Sequence, residues 1–369
     1  MNFRCIYIVF WLQLGIPWVT AQQLPLETAL ANTIKESSGL LFINNTLITH
    51  NDSGGSNVLY EVDIMDGSIL RTVSITNATN VDWEDIAADD TYIYIGDIGN
   101  NFGSRIDLKV YRILITDFFN ANSVTADIIN YSYFDQVDFT PNPGPVFTTD
   151  YDAEALISFN GKLYIFTKQW TSQRSSVYEL PITPGTYELN PIDTIDSNGL
   201  VTGASRNTTN SAVLLSGYSS TLSPFIVELQ GFSNGLFSNG TLLKTGVSAP
   251  DMFSSQIEGI TAYSPNAFYL SSEAFITTSA GLYTYTSSAL GIDALFQPSN
   301  LFYPNPTNEW LHLHDKVRQV QIFSMSGQLL IQQNNPLKIY VGDLSRGVYQ
   351  LVLLDNDTAP TRSSRLVVN

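Results

Sequence analysis

The sequence predicts an all-β chain: a five- or six-bladed β-propeller over residues 22–298, then a small immunoglobulin-like β-sandwich over residues 299–369. Three observations carry this. Short runs rich in β-branched and aromatic residues recur between clusters of Gly, Asn, Asp, Ser and Pro, with almost no helical periodicity. The runs repeat with a period near ~50 residues, long enough for three or four strands per copy. Charge divides the chain, with 10 basic and 29 acidic residues from Gln22 to Pro298 against 6 and 5 from Ser299 to Asn369. The junction falls in the turn-rich Gln297-Pro298-Ser299-Asn300.

Composition limits the function. A net charge of −17 argues against nucleic acid as a partner. A hydrophobic fraction of 44% with 14% charged residues describes a globular chain with a large core. One cysteine excludes a disulfide framework and cysteine-ligated metal sites, and three histidines leave little for a histidine-based centre.

Residues 1–21 have the layout of a secretory signal: Arg4, an apolar stretch from Cys5 to Val19 interrupted at Gln13, and Val19-Thr20-Ala21 before Gln22. The apolar part is shorter than the ~20 residues that span a bilayer. The expected product is exported, free of cysteine, and not an integral membrane protein.

Five copies of a repeat follow, opening at Glu36, Glu84, Glu154, Gly203 and Glu258. Their second runs are Leu47–Thr49, Tyr92–Ile95, Leu163–Phe166, Val213–Leu215 and Phe268–Leu270. Their third runs lie at 59–63, 110–113, 177–180, 226–229 and 282–285. One such sheet cannot bury both faces alone, whereas a ring of sheets can. The interval between the second and third copies is longer than the rest and contains Phe118 to Asp150, which allows a sixth degenerate blade or a long inserted loop.

In a propeller the start of the innermost strand and the end of the second share one rim. That places Glu36, His50, Asn51 and Asp52 beside Asp82, Glu84, Asp85, Asp97, Asn100 and Asn101. The same rim takes Asp152, Glu154, Lys168, Tyr218, Glu258 and Glu273. So many carboxylates repel one another unless something positive joins them. A hard cation is one answer, because Ca²⁺ takes ~6 to 8 oxygen ligands and softer ligands are absent. The metal-ligand candidates are Glu36, Asp82, Glu84, Glu154, Glu258 and Glu273. The other answer is that each carboxylate caps backbone N–H groups at a blade junction and binds nothing. Lys168, within FTKQW, either holds an anionic group against a cation or lies as a surface lysine along Trp170. His50, within THNDSGG, is a candidate general base or part of a hairpin loop.

The stretch IEGITAYSPNAFYLSSEAF with GLYTY, residues 257–285, resembles the Glu-Gly blade motif of β-propeller phytases and phytase-like esterase propellers. GSNVLYEVDIMDG at 55–67 and NVDWEDIA at 80–87 extend the resemblance weakly. It implies that Glu258 and Glu273, then Asp82, bind calcium.

The last segment shows alternating strands at Trp310–His314, Val317–Phe323, Gln328–Gln332, Leu337–Val341, Gly347–Leu354 and Ser363–Val368, separated by turns at Ser326-Gly327 and Arg346-Gly347. His312 and His314 share one strand face and read as solvent-side residues. Tyr303-Pro304-Asn305-Pro306, the hairpin around Ile322 to Gly327, and Leu344-Ser345-Arg346-Gly347-Val348-Tyr349 resemble the type A C-terminal sorting domain of the type IX secretion system of Bacteroidetes-type bacteria. The resemblance implies that residues 299–369 engage that machinery and that the protein is secreted or held at the outer-membrane surface of a Gram-negative bacterium. The expected cargo is a binding or interaction module for an extracellular ligand, with an acidic rim suited to calcium. The alternative is a calcium-dependent ester hydrolase.

Overall fold

The computed structural model describes residues 21–142, 144, 147–207, 211–249, 256–274, 278–287, 302–313, 317–324, 327–354 and 362–369. The signal segment, apart from Ala21, and the expected junction at 298 lie outside these residues. The described residues divide into two compact units, the second following Thr286 in the chain.

The first unit is a wheel of five sheets. The innermost strands are Ser37–Ile43, Trp83–Ala88, Ala153–Phe159, Leu200–Arg206 and Ile257–Ser264. Each pairs antiparallel with the strand that follows it, and that strand pairs with a third. Neighbouring innermost strands pack side by side around the circle, the fifth against the first.

Strand periodicity explains why the wheel closes. Successive side chains leave opposite faces of a blade, so each blade supplies one apolar set to each neighbour. In the second strands, Ile48 faces blade two and Leu47 faces blade five. Ile93 and Ile95 turn to blade one and Tyr94 to blade three. Leu163 and Ile165 turn to blade two, Tyr164 and Phe166 to blade four. Val213 and Leu215 meet blade three and Leu214 meets blade five, where Phe268 and Leu270 receive it while Tyr269 packs on blade one. Each blade junction thus has its own apolar cluster.

Five blades resolve the five-or-six alternative. The long interval builds a short helix, Ile115–Asn120, then Ser123–Val124, which adds to the edge of blade one. Asp127–Tyr133 follows as the fourth strand of blade two, with Gly185–Leu189 parallel outside it, and a loop leads back to Ala153. The outermost strand of blade five is Leu26–Ala29, from the start of the described chain, paired antiparallel with Gly281–Thr286. Gln22–Gln23 lies parallel on the edge of blade four.

The second unit has a three-stranded sheet, with Phe302–Tyr303, Trp310–Leu313 and Lys338–Tyr340, and a four-stranded sheet. The latter contains Leu329–Asn334, Gln319–Phe323, Gly347–Leu354 and Arg362–Val368. Leu311, Val320, Ile322, Val341, Leu351 and Leu366 share one buried cluster. His312 is exposed, as its alternation with Leu311 and Leu313 requires; His314 lies outside the described residues.

Candidate functional site

Every innermost strand carries a β-bulge at the same place, spanning Ser38, Glu84, Glu154, Thr202 and Glu258. A bulge inserts one unpaired residue and re-aims its side chain. Three of these five residues are glutamates. The other two are hydroxyls that bond to backbone: Ser38 Oγ donates to Glu84 O at 2.5 Å, and Thr202 Oγ1 donates to Ile257 O at 2.6 Å. The position after the bulge is Gly39, Asp85, Ala155, Gly203 and Gly259. Space there is short, since a Cβ on Gly203 or Gly259 would lie within 2.6 Å of backbone oxygen. Asp85 is the one large residue of that layer. Its carboxylate accepts from Ile86 N at 2.8 Å, Leu156 N at 2.8 Å and Ala204 N at 3.1 Å, and so ties blades two, three and four together.

At this rim a cavity of about 540 Å³ opens. It is lined by Asp52, Asp82, Glu84, Glu154, Glu258 and Glu273, together with Lys168, Arg105 and the rings of Phe102, Phe147, Trp170 and Tyr218. Of the expected metal ligands, five converge on this space. Glu36 does not: it is exposed and pairs at 3.6 Å with Lys35, while Ser38 holds the equivalent bulge position. The displacement is two residues, and it arises because the bulge, rather than the first acidic residue, sets the register.

The carboxylates separate into those tied chiefly to backbone or to a cation and those that face one another. Asp85 is capped as above. Asp97 accepts from Asp82 N at 3.1 Å and pairs with Arg105 at 2.8 Å. Asp152 accepts from Asn100 N at 2.6 Å and from Trp170 Nε1 at 2.8 Å. These three fit the capping reading. Asp52, Asp82 and Glu84 form a different group, each offering a carboxylate oxygen within 4.8 Å of the other two, with Asp52 also accepting from Ser53 N. Burial raises the pKa of all three. Mutual repulsion adds to this, so that Asp82 reaches about 7 and Glu84 rises well above its ordinary value. Glu273 is likewise pushed up to about 7, first by burial and then by Asp52. Gly99 makes the approach of Asp82 and Glu84 possible, because a Cβ there would stand 2.1 Å from Glu84 Oε1 and 2.4 Å from Asp82 Oδ2.

Lys168 is not the surface lysine that lies along Trp170. It is only 4% exposed, donates to Glu154 Oε1 at 2.7 Å, and stands 4.8 Å from the Trp170 ring centre and 5.2 Å from that of Tyr218. Burial alone would lower its pKa. Glu154 leads the neighbours that reverse this and hold it in the ammonium form, well above the ordinary value. Glu258, 4% exposed across the cavity, has no hydrogen-bond partner for Oε2 among the described residues.

His50 is in the wall rather than on the rim. It is fully buried, its Nδ1 lies 3.1 Å from Asn51 O, and its ring meets Trp83 edge-on at 5.6 Å. Burial lowers its pKa to about 4, which keeps the imidazole neutral. The candidate general base therefore has no path to a substrate in the cavity. Sequence reasoning missed Arg105 and the aromatic residues Phe102 and Phe147. No periodic signal marked them, because Phe102 and Arg105 sit on the loop between the second and third strands of blade two and Phe147 on the loop before blade three.

Residues 301–369 match the family described as the secretion system C-terminal sorting domain. No curated protein matches the chain. Among solved structures, a glucose dehydrogenase is similar at 9% identity and a TM-score of 0.41, over 70% of this chain and 99% of that one. A putative 6-phosphogluconolactonase from Bacteroides uniformis is similar at 15% identity and a TM-score of 0.35, over 94% and 88%. A chain of a nidogen/laminin complex is similar at 14% identity and a TM-score of 0.36, over 64% and 72%. No helix among the described residues is long and apolar enough to cross a membrane. The chain is a five-bladed β-propeller joined to a type IX secretion sorting domain, and hence a protein addressed to the cell surface or the extracellular space.

Proposed function

We propose that the propeller is an exported ligand-binding module of a Bacteroidetes-type bacterium, with residues 1–21 as its signal peptide and a calcium ion bound by Asp52, Asp82 and Glu84. The carrying observation is the three-carboxylate group held by Gly99 at a separation that suits one hard cation. Lys168 pairs with Glu154 and Arg105 with Asp97, so each offsets the group only in part.

The test is a calcium titration of the chain from Gln22 to Asn369, following melting temperature and the hydrolysis of nitrophenyl phosphate and nitrophenyl acetate. Saturating calcium is expected to stabilise by about 3 kcal/mol at a hundredfold excess over Kd. Chelation should reverse the shift, and Gly99→Ala should abolish it. An unchanged melting temperature removes the calcium site. Calcium-dependent ester turnover would favour the hydrolase reading, for which Lys168 stands in the same cavity.

A further inference from the structure

The cavity is acidic on one side and aromatic on the other. Phe102, Phe147 and Trp170 form a continuous wall, with ring centres 5.8 Å apart for the first pair and 5.0 Å for the second. Phe102 is 47% exposed, although an apolar ring is costly to leave in water. The long interval between copies two and three supplies Phe147 to this wall. Its returning loop brings Asn142 N to Phe102 O at 3.0 Å and Thr149 O to Trp170 N at 3.2 Å, with Phe147 between them. The inserted residues therefore do more than connect two blades.

We propose that the cavity binds a neutral polyhydroxylated ring, a sugar with vicinal hydroxyls, stacked on Phe102, Phe147 and Trp170. This rests on the calcium reading above, since two sugar oxygens would complete the coordination of the bound ion. Three lines of chemistry select this ligand class. Three carboxylates leave Ca²⁺ several of its ~6 to 8 oxygen positions for a ligand. Glu258 lines the cavity and its buried Oε2 has no hydrogen-bond partner among the described residues, a place that a sugar hydroxyl can fill. The C–H face of a sugar packs on aromatic rings, while its rim of hydroxyls suits the acidic side.

Charge excludes the competing classes. Six acid groups line the space against Lys168 and Arg105, and these two cations already face Glu154 and Asp97, so an anionic ligand finds no unpaired cation among the described lining residues. An organic cation on the Trp170 face would meet the Lys168 ammonium already standing 4.8 Å from that ring. A volume of about 540 Å³ lies within the range of small-molecule sites and holds one or two sugar rings.

The experiment screens the chain from Gln22 to Asn369 on a glycan array with millimolar calcium or with chelator, followed by calorimetry with the best glycan. Cadaverine and inorganic phosphate serve as contrasting probes. Retention of glycans with vicinal hydroxyls in calcium only is the expected result. Phe102→Ala should weaken binding about tenfold or more while leaving the calcium-induced melting shift intact. Phe102 is exposed, so this variant folds. A normal calcium shift without any retained glycan overturns the sugar proposal alone. Absence of the shift overturns the calcium reading instead. Glycan binding that persists in chelator, or that is indifferent to Phe102→Ala, also overturns the proposal, as does binding of cadaverine or phosphate in place of any glycan.

Discussion

Asp85 and Lys168 show two ways of burying a charge in this wheel. Asp85 is tolerated because three backbone N–H groups from three blades point at it. Asp85→Ala leaves those donors without an acceptor, and an expected loss of about 2–5 kcal/mol should appear in urea unfolding. Asp85→Asn, which keeps one acceptor oxygen, should cost less; equal stability of all three proteins would contradict this role. Lys168 is tolerated because Glu154 faces it. Lys168→Met strands a buried carboxylate and is expected to cost about 3–5 kcal/mol, most of which Lys168→Met/Glu154→Met should recover. At this scale the sequence placed Glu84, Glu154 and Glu258 on the rim, since each is the acidic residue near the start of an innermost strand. It misplaced Glu36, because an apolar run beginning after Glu36 looks the same whether the strand register starts at position 36 or at the bulge on Ser38. A displacement of two residues keeps a side chain on the same face of a strand but moves it ~6.6 Å along it, here out of the cavity. His50 was legible as a histidine near the rim, but its enclosure against Trp83 depends on the neighbouring blade.

Blade five is completed by the strand Leu26–Ala29, more than two hundred residues away in sequence from its partner Gly281–Thr286. Leu24 and Leu30 flank it, both buried, one in the junction of blades four and five and the other in that of blades five and one. This strand is a clasp that holds the ring shut without a disulfide. Deleting residues 22–30 should expose the edge at Gly281–Thr286, lower the melting temperature by on the order of 10 °C, and promote association through the open edge. A monomer with unchanged melting would refute the clasp. The three runs of each repeat were readable as strands because β-branched and aromatic residues alternate there with turn signals. The clasp was not, because Leu26–Ala29 is too short to show a period and its partner lies at the far end of the unit.

The whole unit carries more protons when folded, at neutral pH, than its unfolded chain does. Asp82 and Glu273 titrate near 7 in the wheel and near 4 when unfolded, so the folded state binds more protons between those values. In chelator, stability should therefore fall as pH rises from 5 to 8. His50 opposes this trend below its unfolded value of 6.5, but it is one group against Asp82, Glu273 and several more acids raised in the same direction. Calcium should invert the profile, stabilising most at pH 8 and least at pH 5, where protons compete for Asp82. Melting curves across that range, with and without calcium, test the balance, and a chelated protein that gains stability with rising pH would refute it. The sequence by itself determined the strands, their fivefold recurrence, the acidic character of the large unit and the sorting domain, because periodicity and short motifs are local properties of the chain. Tertiary structure alone decided which carboxylates are held by backbone and which face one another, and that Phe147 of the inserted residues joins Phe102 and Trp170 in an aromatic wall. Those outcomes depend on bulges and loops brought together from different blades, and no local pattern encodes a distance between residues far apart in the chain.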